Sequence, residues 1–186
     1  MSDPFGDDLV AALQSLRAFA RTFHRDHARA DDLVQETVAK ALAKRDQFRP
    51  DTNLRAWLFT ILRNTYLSEK RKRRREVEDV DGSMVGGLVS KPCQDGHMAL
   101  SDLKDALQQL GEDQREALIL VGAAGFSYEE AGKICGVAPG TVKSRVSRGR
   151  SRLAVLMAEG SGSIAPTDEL VKAAAGEGLD RAAGAL

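Results

Sequence analysis

The chain has 186 residues, 42% of them hydrophobic and 29% charged, with 27 basic side chains balanced by 27 acidic ones. At a soft prior of ~150 residues per domain this describes a globular protein of one domain or two small ones and excludes a wholly disordered chain. No run approaches the ~18 uninterrupted apolar residues of a membrane span, the opening MSDPFGDDLV lacks the basic and apolar segments of a secretory signal, and two cysteines are too few for a disulfide framework, so a cytoplasmic protein without membrane attachment is expected.

Apolar residues recur at helical spacing nearly everywhere and alternating strand patterns are absent, which predicts an all-α fold of about seven helices. The first covers about 8–25, with Leu9, Leu13, Leu16, Ala20 and Phe23 as its buried stripe. The second follows Arg29, carries Asp31 and Asp32 in a first turn where carboxylates suit the helix dipole, and ends near Lys44. The loop DQFRPDTN leads to a third helix over about 54–72. Stepping 100° per residue gathers Leu54, Trp57, Leu58, Ile61 and Thr65 on its core side and Arg55, Phe59, Arg63, Tyr66 and Lys70 on the opposite side. Outward aromatics among cations suit unstacked bases, whose faces stack on rings while the cations follow the backbone. The competing reading packs Phe59 and Tyr66 against the first or second helix.

Charge is segregated along the chain. Residues 63–75 hold Arg63, Lys70, Arg71, Lys72, Arg73, Arg74 and Arg75 against Glu69 alone, and Glu76, Glu78, Asp79 and Asp81 then reverse the sign. The stretch DGSMVGGLVSKPCQDG that follows has no helical periodicity and is expected to be a linker, over about 76–99, between a domain at 1–75 and one at 100–157. Helices are predicted over about 100–110, 112–123, 127–135 and 139–157, ahead of a loose tail at 158–186. The second basic block, Lys143, Arg145, Arg148, Arg150 and Arg152, contains no acidic residue between Glu130 and Glu159. Two basic surfaces on two domains point to a polyanion contacted at two places.

The strongest local pattern is SYEEAGKICGVAPGTVKSRVSRGRSRL. Ser127 and Glu130 have the S-x-x-E spacing of a capping box, small Ala131 and Gly132 permit close helix approach, Gly136 suits a sharp turn, and Pro139 suits a first helical turn. This is the grammar of a helix-turn-helix. In its second helix Val142, Val146, Gly149 and Leu153 fall on one side. Thr141, Ser144, Ser147, Arg148 and Ser151 fall opposite, with Lys143 and Arg150 on one edge and Arg145 and Arg152 on the other. Short polar residues between basic flanks fit a groove floor bordered by phosphates.

Taken in order, DDLVQETVAKAL, FRPDTNLRAWLFTILRNTYLSEKRKRRR and LGEDQREALILVGAAGFSYEEAGKICGVAPGTVKSRVSRGRSRL resemble an extracytoplasmic-function (ECF, group 4) sigma factor of bacterial RNA polymerase over about 8–156. The wording GFSYEEAGKICGVAPGTVKSRVSRGR looks most like the EcfG type, which directs the general stress response of alphaproteobacteria. The resemblance implies a region 2 domain and a region 4 domain. It places the β′ coiled coil of the polymerase core against Asp32, Gln35 and Glu36, which helical rotation independently gathers on a polar face opposite Val34, Val38 and Ala41. It makes Asn53 and its neighbours in RPDTNL a pocket for a flipped −10 base, and gives the −10 strand to Arg55, Phe59, Arg63, Tyr66, Lys70, Arg71 and Arg73. It gives the −35 element to Thr141, Lys143, Ser144, Arg145, Ser147, Arg148 and Arg150, with region 4 also meeting the β flap. It further implies a small anti-sigma partner of the NepR kind. Two departures are Ala138, where the family has a Ser or Thr cap, and Gly149, which costs ~1 kcal/mol relative to Ala in a helix interior.

Rival functions find less support. A sigma-mimicking interaction module that titrates an anti-sigma protein, as in the EcfG-like half of PhyR, would need a receiver domain, for which nothing after Met157 leaves room, and has little use for seven cations in 63–75. An enzyme is not expected: His24 with His27, or Cys93 with His97, complete no four-ligand metal pattern, and no Walker loop, GxGxxG or catalytic triad pattern is present, so no metal or cofactor is expected. An ordinary dimeric repressor leaves the DLVQE helix and the second basic surface unexplained.

Overall fold

The computed structural model of the chain describes residues 3–78 and 95–159, and every regular element among them is helical. Three long helices come first: α1 (Pro4–Phe23), α2 (His27–Ala43) and α3 (Leu54–Glu78), with a 3₁₀ turn at Arg45–Gln47. Four follow: α4 (Asp95–Gln109), α5 (Glu112–Leu118), α6 (Tyr128–Cys135) and α7 (Pro139–Glu159). The last turn of α3 and the first of α4 extend into the span expected to be linker, whose remainder, 79–94, lies outside the described residues together with the tail from 160.

α1 starts four residues earlier than its apolar stripe predicts. Pro4 sits in the first turn, where its missing N–H costs nothing, and Phe5 packs its ring against Phe48 and Trp57 at centroid distances of 5.9 and 6.4 Å. A bidentate Arg45–Asp3 pair ties this end to the 3₁₀ turn. α2 starts at His27 because the Asp26 side chain accepts from the Ala28 N–H at 3.0 Å. Leu16, Phe19, Leu33, Leu58 and Leu62 are fully buried where α1, α2 and α3 meet. The buried hydroxyls of Thr22 and Thr37 donate back to the Phe19 and Leu33 carbonyls, both at 2.7 Å, so burying them leaves no unpaired polar group.

The second group packs around Leu103, Leu118, Leu120, Val142, Val146 and Leu153. α5 passes into a π turn at Ile119–Ala123, where the Ala124 N–H donates to the Ile119 carbonyl, and the chain then turns at Gly125, whose φ is +73°. α6 opens with a complete capping box: the Ser127 hydroxyl accepts from the Glu130 N–H at 3.1 Å, and the Glu130 carboxylate accepts from the Ser127 N–H at 2.9 Å. It closes on Gly136, at φ +68°, which a side chain would strain.

Candidate nucleic-acid and polymerase interfaces

α7 presents two distinct sides. Val142, Val146 and Leu153 are buried, each removing ~1.5–3 kcal/mol worth of apolar surface from water. Gly149 belongs with them: a Cβ there would stand 2.8 Å from Cδ1 of Leu118, so the glycine allows α5 and α7 to touch. Thr141, Lys143, Ser147, Arg148, Ser151 and Arg152 are exposed, as the helix-turn-helix reading requires. The Arg148 guanidinium lies along its own helix, donating to the carbonyl and hydroxyl of Ser144. Arg145 and Arg150 are half-buried, and Arg145 is engaged by the Asp113 carboxylate at 2.6 Å.

On α2, Asp32, Gln35 and Glu36 are exposed while Val34 and Ala41 are buried and Val38 is partly so, which matches the polar face expected there. Glu36 pairs with Lys40 one turn on, and Lys40 also donates to the buried Thr65 hydroxyl at 3.1 Å.

The outward face expected of α3 is corrected by the structure. Phe59 is fully buried, stacked on Phe19 at 4.8 Å and edge-on to Phe126 at 5.0 Å. Tyr66 stacks on Phe23 at 4.2 Å, and Arg55 lies over the rings of Phe59 and Phe126. The packing alternative was therefore right for both aromatics: Tyr66 meets α1, and Phe59 is closed in by α1 on one side and by the α5–α6 segment on the other. α3 is buried on two sides because the second helical group packs across it.

That packing is charged. Arg63 Nε meets the Glu116 carboxylate at 2.6 Å, with the two side chains only 16% and 4% exposed. Lys70 pairs with Glu112, and Asn53 donates to the Glu130 carboxylate at 2.9 Å while its own carbonyl oxygen accepts from the Ala56 N–H at the start of α3. Burial pushes the Glu116 carboxyl above its usual range despite the Arg63 guanidinium. For Glu112 burial also pushes upward, but hydrogen bonds from Lys70 and Tyr66 outweigh it and hold the carboxyl below its usual range. Burial, helped by Glu112, raises the Tyr66 phenol, and burial pushes the nearby Cys135 thiol up to about 12, which keeps it protonated. Arg71 and Arg73, further along α3, are exposed.

Glu112, Asp113, Glu116 and Phe126 are participants that sequence reasoning missed. The signal was present: Glu112 and Glu116 stand one turn apart, with Asp113 beside them, on a short helix far along the chain from the basic run at 63–75. Among the described residues no group of three or more His, Cys, Asp or Glu side chains is arranged to hold a metal, and no helix is long and apolar enough to cross a membrane.

Residues 9–76 match the family model of Sigma-70 region 2, and residues 100–153 match that of Sigma-70 region 4. The chain is 54% identical to the ECF RNA polymerase sigma factor EcfG of Rhodopseudomonas palustris, over 96% of this chain and 99% of that one. It belongs to the ECF sigma factors. The three-helix group is thus region 2, the second group is region 4, and the activity is promoter-specific initiation of transcription with bacterial RNA polymerase. The sigma factor RpoE of Bartonella quintana, solved in complex with the anti-sigma factor NepR, is 53% identical and superposes with a TM-score of 0.74, covering 83% of this chain and 96% of that one. CnrH, solved with the cytosolic domain of CnrY, is 27% identical with a TM-score of 0.63, covering 84% and 89%.

Proposed function

We propose that this sigma factor acts on stress-response promoters as a soluble cytoplasmic subunit with no chemistry of its own. In this reading α7 lies in the major groove of the −35 element, Asn53 and the exposed end of α3 take the −10 strand, and the Asp32–Gln35–Glu36 face docks on the β′ coiled coil. Thr141, Lys143, Ser144, Arg145, Ser147, Arg148 and Arg150 serve the −35 element. Arg55, Arg63, Tyr66, Lys70, Arg71 and Arg73 serve the −10 strand, and Phe59 reaches bases only if region 4 moves away. Unpairing a base costs a few kcal/mol, which capture of the extruded base offsets. A small NepR-like protein restrains the factor, as the Bartonella quintana complex suggests by analogy.

The observation that carries this reading is the polar α2 face. Asp32, Gln35 and Glu36 are exposed and have no packing role among the described residues, while the residues on the other side of the same helix build the core. Changing Gln35 and Glu36 together to Ala removes only a surface Glu36–Lys40 pair, at ~0.3–0.5 kcal/mol, so helicity stays intact. Association with core polymerase and run-off transcription should be abolished. Unchanged core binding by a folded variant would refute the assignment.

A further inference from the structure

Among the described residues, four hydrogen-bonded ties run between the two domains beside the Phe59–Phe126 contact, and each sets a region 4 carboxylate against a residue of the −10 surface: Arg63 with Glu116, Lys70 and Tyr66 with Glu112, and Asn53 with Glu130. A contact evolved only for adhesion would need no ions here, because a buried ion pair stabilises little more than well-packed apolar side chains of the same size. Glu116 is buried at a cost that its raised carboxyl records, and it is aimed at a cation rather than at solvent. Its neighbour one turn earlier, Glu112, reaches a cation two turns further along α3. Two negative groups spaced along a rod-like element, each meeting a cation on α3, reproduce the contacts that successive phosphates of a nucleic-acid strand would make.

We propose that the acidic face of α5 is an intramolecular substitute for the −10 strand: Glu112 and Glu116 occupy Lys70 and Arg63 and latch region 4 over region 2, so that single-stranded DNA and the latch compete for the same cations. This rests on the reading of α3 as the −10 surface. Opening breaks both ion pairs together and uncovers Phe59, so the cations and the stacking ring become available in one step. The exposed α2 face and the outer face of α7 are outside the latch, which leaves the closed chain able to meet core polymerase before it meets the −10 strand.

The test uses the full chain carrying Cys93→Ser and nitroxide labels at Ala39→Cys on α2 and Lys133→Cys on α6, both exposed positions. Pulsed electron resonance reads the distance between domains, and fluorescence anisotropy reads binding of an oligothymidine strand of about twelve nucleotides. The parent should give a dominant short, narrow distance with a minor longer component of about a tenth. Glu112→Gln with Glu116→Gln should lengthen and broaden it and tighten oligothymidine binding by ~tenfold, the factor expected if the latched chain is open about a tenth of the time. If Glu116→Gln lowers helicity, the more exposed Glu112→Gln alone should move both readouts in the same direction. Exchanging the pair, Arg63→Glu with Glu116→Arg, should restore the short distance while oligothymidine binding stays weak. An unchanged distance in the glutamine variants, or opening without tighter binding, would overturn the latch. Transcription with core polymerase keeps the two readings apart: if the parent initiates and the variants stay closed, the latch alone falls, and if the parent never initiates, the promoter reading falls while the distances still judge the latch.

Discussion

Adding one methyl group to each of three glycines in region 4 separates helix propensity from helix contact. At Gly140, in the first turn of α7, a Cβ would meet nothing within 4 Å, so Gly140→Ala should gain up to ~1 kcal/mol of helix propensity. At Gly149 the same gain is opposed: the new Cβ would stand 2.8 Å from Cδ1 and 3.2 Å from Cγ of Leu118, which is 1% exposed and has no room to turn away. Overpacking of this kind costs ~1–3 kcal/mol, which leaves a net loss of about 1 kcal/mol. At Gly132 the obstacle is backbone, with the Val137 carbonyl oxygen at 2.8 Å and the Pro139 nitrogen at 3.4 Å. The turn there is pinned by the Val137 N–H to the Gly132 carbonyl at 3.0 Å, so it yields less than a side chain, and a net loss of about 2 kcal/mol is expected. Urea unfolding followed by far-ultraviolet circular dichroism measures the series, with midpoints compared at equal m. The predicted order is Gly140→Ala above the parent, then Gly149→Ala, then Gly132→Ala. A Gly149→Ala chain at least as stable as Gly140→Ala would refute the contact between α5 and α7 as the reason for that glycine.

Arg148→Ala should relax discrimination at one or two −35 positions by ~1–3 kcal/mol per lost bidentate contact, while Lys143→Ala should weaken all duplexes alike and lower the salt slope by about one. Titration against singly substituted −35 duplexes at two salt concentrations measures both, and uniform loss in both variants would rule out Arg148 as a base reader on the groove-facing side of α7. His24 is predicted to make stability fall with acid. Burial lowers its pKa below 6.5, opposed by Glu69 and Asp26 and reinforced by Arg73 and Arg29, while its ring meets Tyr66 edge-on. As pH falls below 6.5 the unfolded chain takes up this proton first, so the stabilisation present above that value is lost as pH approaches the lowered folded value. His24→Gln should flatten the dependence of the thermal midpoint as pH falls below 6.5. A slope unchanged by the substitution would remove His24 from the account.

Periodicity was a sound guide wherever a helix buries one side. The Val142–Val146–Leu153 stripe and the Asp32–Gln35–Glu36 face lie where rotation places them, and the Ser127–Glu130 spacing closes both of its hydrogen bonds. The same method misled on α3, because rotation assumes one buried side and this helix has two. Phe59 is apolar on its polar side for a reason that only the second domain supplies, a partner ring from Phe126 far along the chain. Rotation placed Gly149 on the packed side of α7, yet the reason for a glycine there was not legible, since a glycine's use lies in the neighbour it admits. The early start of α1 escaped for a similar reason: Phe5 is buried by Phe48 and Trp57, which no local pattern connects to it.

The amide of Asn53 has a fixed polarity. Only its oxygen can receive the Ala56 N–H, so the start of α3 orients the group and leaves the NH₂ pointing away from the helix, where Glu130 now accepts from it. Any molecule that takes the place of Glu130 inherits a donor and must bring an acceptor. If the proposed −10 base is seated there, it would be gripped through a ring nitrogen or a carbonyl oxygen, and one that turned only an amino group toward Asn53 would meet donor against donor. The residue that begins the helix thereby filters what can replace its intramolecular partner, and Asn53→Asp, which keeps the cap but reverses the outward polarity, would invert the filter.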